Sequence, residues 1–247
     1  MARFPQSPFG AGGGGFAGGE TLPYRSKEQQ VTLGQFFNAV YAWMAVGLAL
    51  TAVVAFVVAT YARSMMLNPG VLIISVIAQF ALVITISRAI NRINASVATG
   101  LFLVYAALNG VWLSVLFALY AHATLASTFM VTAGAFGATS LYGYTTKRDL
   151  TGLGSLLFMA LIGLILASLV NLFFMNPMMQ WLISYAGVLI FVGLTAYDTQ
   201  NLKAIAFQTG DNPALAHRMA IVGSLRLYLD FINLFLFLLE IMSDRRR

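Results

Sequence analysis

Two carboxylates stand where apolar helices ordinarily carry none: Asp198 in "GLTAYDTQNLK" (193–203) and Asp230 in "LYLDFINLFLFLLE" (227–240). An ionised carboxylate at the centre of a bilayer costs about 2.5–3.5 kcal/mol on insertion scales, so its retention needs a partner, a cavity or a function. Brought together in a poorly hydrated interior, two aspartates can share one proton, which suits a pH sensor, a cation path or, with an activated water, an aspartyl protease. Asp198 belongs to a polar face, because Thr195, Asp198 and Asn201 recur every three residues. Asp230 has a structural reading as well, since Arg226 lies four residues earlier and would form an i, i+4 pair with it. Asn233 adds a neutral oxygen nearby, while Glu240 near a helix end reads as a boundary residue in reach of water.

Composition settles what surrounds these groups. With 60% hydrophobic and 9% charged residues in 247, and a mean hydropathy of +0.83, the chain is too apolar for a soluble domain and reads as an all-α membrane protein. The absence of cysteine excludes disulfides and thiol chemistry, and His122 and His217, far apart in the chain, cannot alone form a metal site. Stretches long enough to cross the hydrocarbon core, about 20 residues each, fall near 37–60, 69–87, 97–119, 124–144, 153–174, 179–201 and 220–242. Residues 1–30, rich in Gly and with no continuous apolar core for a secretory signal, are expected to be a disordered tail before a seven-helix transmembrane domain over 31–247. The longest link is expected over 202–219, with Gly210 and Pro213 as breakers.

Orientation follows from the basic residues between the spans. Nine lie on the side of the N-terminus: Arg3, Arg25, Lys27, Arg88, Arg92, Lys147, Arg148, Lys203 and Arg218. Four lie opposite, Arg63 and the terminal Arg245, Arg246 and Arg247, so the N-terminus is expected in the cytoplasm. Seven crossings then leave the arginine tail outside, and a last segment that enters and returns on the cytoplasmic side is the alternative. The sixth span ends on the cytoplasmic face, where the loop carrying Arg88 and Arg92 also emerges, so either arginine is a candidate to hold Asp198 ionised or merely marks the boundary. Basic residues scattered this way are topology signals, and nucleic-acid binding is not expected. Helix contacts are expected at Gly134 with Ala138, Gly163 with Ala167, and Asn109.

The seven spans, "GLTAYDTQNLK" near the end of the sixth and "LYLDFINLFLFLL" in the seventh resemble the Bax inhibitor-1 family, and "SLYGYTTKRDL" (140–150) resembles its bacterial inner-membrane branch. The resemblance covers about residues 30 to 244. It implies a bundle in which one central helix is wrapped by the others, and a pH-sensitive calcium leak in the cell inner membrane. It further implies that the aspartates matching Asp198 and Asp230 share a proton, and that an arginine following the second span, here Arg88 or Arg92, latches the first of them. Eukaryotic relatives restrain cell death, and a bacterial relative binds a membrane-bound AAA protease.

Calcium prefers six to eight oxygen ligands. Two carboxylates with Thr195, Asn201 and Asn233 offer a weak, transient site, suited to transit rather than storage. No resident cofactor is expected, and the absence of a P-loop removes ATP-driven transport. Two rivals differ in class. One is a regulator that binds a membrane protease through its N-terminal tail; deletion of residues 1–30 would separate it from a leak. The other is an intramembrane aspartyl protease, disfavoured because "RLYLDF" around Asp230 lacks the G-x-G-D of that class. The chain is not expected to be an enzyme.

Overall fold

The computed structural model describes residues 27–66, 68–89, 93–209 and 212–244. Most of the expected tail, Arg92 and the arginines at 245–247 therefore lie outside the described residues. Among those described, the order is α1 (Lys27–Tyr61), α2 (Arg63–Met66), α3 (Pro69–Ala89), α4 (Ala95–Leu113), α5 (Leu116–Leu119), α6 (His122–Thr145), α7 (Thr151–Phe174), α8 (Pro177–Thr209) and α9 (Pro213–Asp244). Seven of these helices are long, and six stretches are long and apolar enough to cross a membrane. The seventh, α6, is less apolar because hydroxyls occupy its inner face: Thr124, Thr128, Thr132 and Ser140 are buried in one stripe with Phe136. Its other face, with Met130 and Leu141, is exposed.

Helix starts follow from local chemistry. Three helices open on Asn-Pro, at Asn68, Asn176 and Asn212. Each asparagine side chain accepts a backbone N–H of the first turn, from Gly70 at 2.9 Å, Met178 at 2.9 Å and Leu215 at 3.0 Å. Proline follows at the first helical position, where its missing N–H costs nothing. Asn94 caps α4 in the same manner through Val97 N.

The central element is α9, which packs against α8, α1, α6 and α4, while α3 lies chiefly on α4 and α7 on α8. The bundle with a wrapped central helix is thus present, and the wrapped helix is the one that carries Asp230. Large apolar side chains point outward, as on α7 at Leu156, Met159 and Ile162, because lipid is as apolar as the core.

Without a hydrophobic drive between helices, close approach and interhelical hydrogen bonds hold the bundle, each bond contributing about 0.6–2 kcal/mol. Asn109 makes such a bond. Its Nδ2 donates to Tyr228 Oη (2.8 Å), Tyr228 donates to Thr51 Oγ1 (2.7 Å), and Thr51 donates to the Ala106 carbonyl (2.8 Å). The Thr51 hydrogen is committed to that carbonyl, which fixes the direction of the chain and ties α1, α4 and α9 together.

Two expectations are corrected and one alternative loses its support. Gly134, Ala138 and Gly163 are exposed, and nothing lies within 4 Å of a Cβ at either glycine, so these are lipid-facing positions rather than helix contacts, whereas Ala167 is half-buried against the core. The close approaches occur elsewhere: a methyl group at Gly143 would strike the Ala196 carbonyl, and one at Gly154 would strike the Tyr197 ring. The expected link over 202–219 is mostly helix, because α8 runs on to Thr209 and α9 begins at Pro213. Its leucine, alanine, lysine and glutamine residues are good helix formers even where hydropathy falls. Lastly, among the described residues α9 is one uninterrupted helix, with no break at which the alternative, a last segment that enters and returns, would turn. The third span, by contrast, divides at Ser114, whose hydroxyl donates to the Val111 carbonyl at 2.6 Å.

Candidate functional site

A cavity of about 1090 Å³ lies between α3 and α7, floored by α8 and α9. It follows α7 from Thr151 to Leu172, and its walls are mostly apolar. Asp198, Arg226, Asp230 and Asn233 form its polar patch.

Asp198 on α8 and Asp230 on α9 lie where these two long helices pack against each other. Their carboxyl groups come within hydrogen-bonding reach of each other across the α8–α9 seam. Asp230 is buried, and its Oδ2 receives no hydrogen bond from a donor among the described residues. Two ionised carboxylates are both acceptors, so the contact becomes a bond only when one of them carries a proton. Arg226 is the positive charge acting on both groups. It stands exposed on α9 one turn before Asp230, near enough for its charge to act on both carboxyl groups without a direct ion pair being drawn.

The remaining site candidates separate. Asn233 lines the cavity, its Nδ2 donating to Leu229 O at 2.8 Å. Thr195 is fully buried and spends its hydroxyl on Phe191 O (2.8 Å), and neither it nor Asn201 is part of the cavity wall. The reason is geometric: a step of three residues falls about 60° short of a full helical turn, so Thr195 and Asn201 diverge to either side of Asp198. Arg88 is exposed in the last turn of α3, away from the cavity lining. Among the described residues no third carboxylate or histidine joins the pair in a metal-binding group.

The sequence reading missed the residues that position Asp198. Gln200 clamps the α6–α7 loop, its Oε1 accepting from Leu150 N (2.8 Å) and its Nε2 donating to Arg148 O (2.7 Å). Thr199 donates to Thr195 O (2.7 Å) and accepts from Ser140 (3.0 Å), which in turn accepts from Tyr41. Lys203 donates to Tyr144 O (2.8 Å) and lies over that ring. Tyr197 seats on Gly154. These residues surround Asp198 in the same short stretch, and their polarity beside an apolar run was the available signal. In the loop itself, Asp149 accepts from Thr151 N (2.9 Å) and Thr151 Oγ1 (2.6 Å), which holds its carboxyl below the usual carboxylate range.

Comparison with known proteins gives the same outline. The family model described as "Inhibitor of apoptosis-promoting Bax1" matches residues 33–247. The inner membrane protein YbhL of Escherichia coli K12 is 54% identical over 219 residues, covering 87% of this chain and 93% of that protein. An uncharacterised protein of Borreliella burgdorferi is 44% identical over 225 residues, covering 90% of this chain and 97% of its own length. One from Deinococcus radiodurans is 44% identical over 220 residues, covering 88% and 95%.

Proposed function

The chain belongs to the Bax inhibitor-1 family, and from that premise we propose that it is a pH-sensitive calcium leak of the inner membrane, gated by the Asp198–Asp230 pair. The observation that carries the reading is the contact of two carboxyl groups at the wall of a cavity that follows α7 along most of its length. The name of the Escherichia coli relative supports the membrane assigned.

The proposed cycle follows from charge. As pH falls, the pair takes up one proton, repulsion is relieved and α8 is drawn onto α9. As pH rises, both carboxylates ionise, Arg226 supplies the countercharge, and the seam between the helices loosens. The resemblance adds a latch by an arginine following the second span, Arg88 or Arg92, as a second source of that countercharge. These are two packings selected by protonation. Two carboxylates and the Asn233 amide offer calcium fewer than its preferred six to eight oxygens, which suits transit with part of the hydration shell retained.

Reconstitution tests the reading. The full chain in liposomes loaded with a calcium indicator is expected to pass calcium faster than protein-free liposomes, at a rate that changes between mildly acidic and mildly alkaline buffer. Calcium entry no faster than in protein-free liposomes at any pH would contradict it.

A further inference from the structure

A second cavity, of about 380 Å³, opens at the end of the α8–α9 seam opposite to Thr209 and Pro213. Glu240 lines it, together with Gln180, Ser184, Tyr120 and Trp181. The carboxylate is held by donors whose orientation is fixed from behind. Asn176 N donates to Asn171 Oδ1 (3.0 Å), and Asn171 Nδ2 donates to Gln180 Oε1 (2.7 Å), so the Gln180 amide presents its Nε2 to Glu240. Ser184 Oγ lies 2.6 Å from the other carboxylate oxygen and 2.9 Å from the Gln180 carbonyl, and its one hydrogen favours the nearer, charged acceptor. Glu240 is thus an acceptor on both oxygens, both of these partners are neutral, and a carboxylate has about four lone-pair sites, of which two are used.

Asp230, Asn233, Phe237 and Glu240 follow one another at spacings of three and four residues, which places them on one face of α9. Asp230 and Glu240 are about 15 Å apart along the axis at 1.5 Å per residue. Phe237 stands between them. It belongs to the lining of the larger cavity, stacks on Phe191 with ring centroids 5.9 Å apart, and fits against Gly187, where an added Cβ would come within 2.6 Å of the ring. Only a glycine allows the ring to close the seam at that point. An apolar constriction of this kind excludes water and hydrated ions until the ring moves.

We propose that Glu240 is an outer binding site for a divalent cation, and that the Phe237 ring is the barrier between it and the aspartate cavity. The barrier rests on the leak reading, whereas the cation site does not. A cation at Glu240 would gain the two free carboxylate positions and the hydroxyls of the cavity while keeping part of its water shell.

Two measurements separate the parts. In purified full-length protein in detergent, terbium should give emission sensitised by Trp181 and displaced by calcium. E240Q should lose most of that emission, whereas D230N should retain it. Emission in E240Q equal to wild type would overturn the site. In liposomes, F237A should raise calcium leak several-fold and F237L, which preserves more of the packing, to a lesser extent. Leak unchanged in both variants would overturn the barrier. A wild-type protein that passes no calcium in the same liposomes would remove the leak reading and the barrier with it, and the terbium result would still decide the site.

Discussion

Tyr228 and Asp230 lie two residues apart on α9 and serve different neighbours. Tyr228 closes the hydrogen-bond chain from Asn109 to Thr51, with the rings of Phe102 and Tyr105 edge-on around it. Replacing Tyr228 by Phe strands the Asn109 amide in a buried site, at a cost of about 1–3 kcal/mol. Thermal unfolding in detergent should show a lowered midpoint for Y228F, and an unchanged midpoint would contradict the role assigned to this hydroxyl. The glycines give a second comparison. Gly143→Ala should be destabilising by about 1–3 kcal/mol, since the new methyl group meets a carbonyl that cannot move away. Gly163→Ala should not destabilise, since its Cβ points into open space. Equal effects of the two on the unfolding midpoint would count against the packing described. At this scale the aspartates were legible, because any acid in an apolar run is conspicuous. The glycine contacts were not, because spacing alone does not say which helix face meets a neighbour and which meets lipid. The place of Arg226 beside Asp198 depends on contact between α8 and α9 and could not be read from either segment alone.

The chain's own punctuation was only partly read: a span was expected from 69, whereas those expected from 179 and 220 start past the Asn-Pro pairs that open the helices. Asn68-Pro69, Asn176-Pro177 and Asn212-Pro213 each combine a capping side chain with a residue suited to the first helical position. The ends of the sixth and seventh spans were misjudged because hydropathy marks where a membrane ends and not where a helix does. The loop between α6 and α7 is held to α8 by Gln200. Replacing Gln200 by Ala removes both bonds and should increase protease cleavage within residues 146–150 of the purified protein; cleavage equal to wild type would show that the clamp is dispensable. Asp149 contributes to the same loop. Its carboxyl is held below the usual range, so its bonds to Thr151 are present above the ordinary carboxylate pKa and are lost only as pH falls through the lowered value.

For the whole molecule, the apolar composition and the seven segments anticipated an all-α membrane bundle, and the resemblance anticipated its wrapped central helix. The cavity could not be anticipated, because it is the space left where α3 lies on α4 and α7 on α8. Topology provides one prediction: a reporter fused at residue 30 should show the N-terminus in the cytoplasm, and an external signal would reverse the side on which the aspartate cavity begins. Contact between two aspartates also makes peptide cleavage a fair challenge. The purified protein should leave model transmembrane substrates intact across acidic and neutral pH, and cleavage abolished by either D198N or D230N would place the pair in a protease instead. Whether the two aspartates act as one proton-sharing unit is decided by the pH dependence of calcium flux in liposomes for wild type, D198N and D230N. A shared proton requires a clear pH response in wild type, most of it lost in D198N and all of it lost in D230N. A wild-type pH response retained in both single variants would show that the pair does not gate the leak.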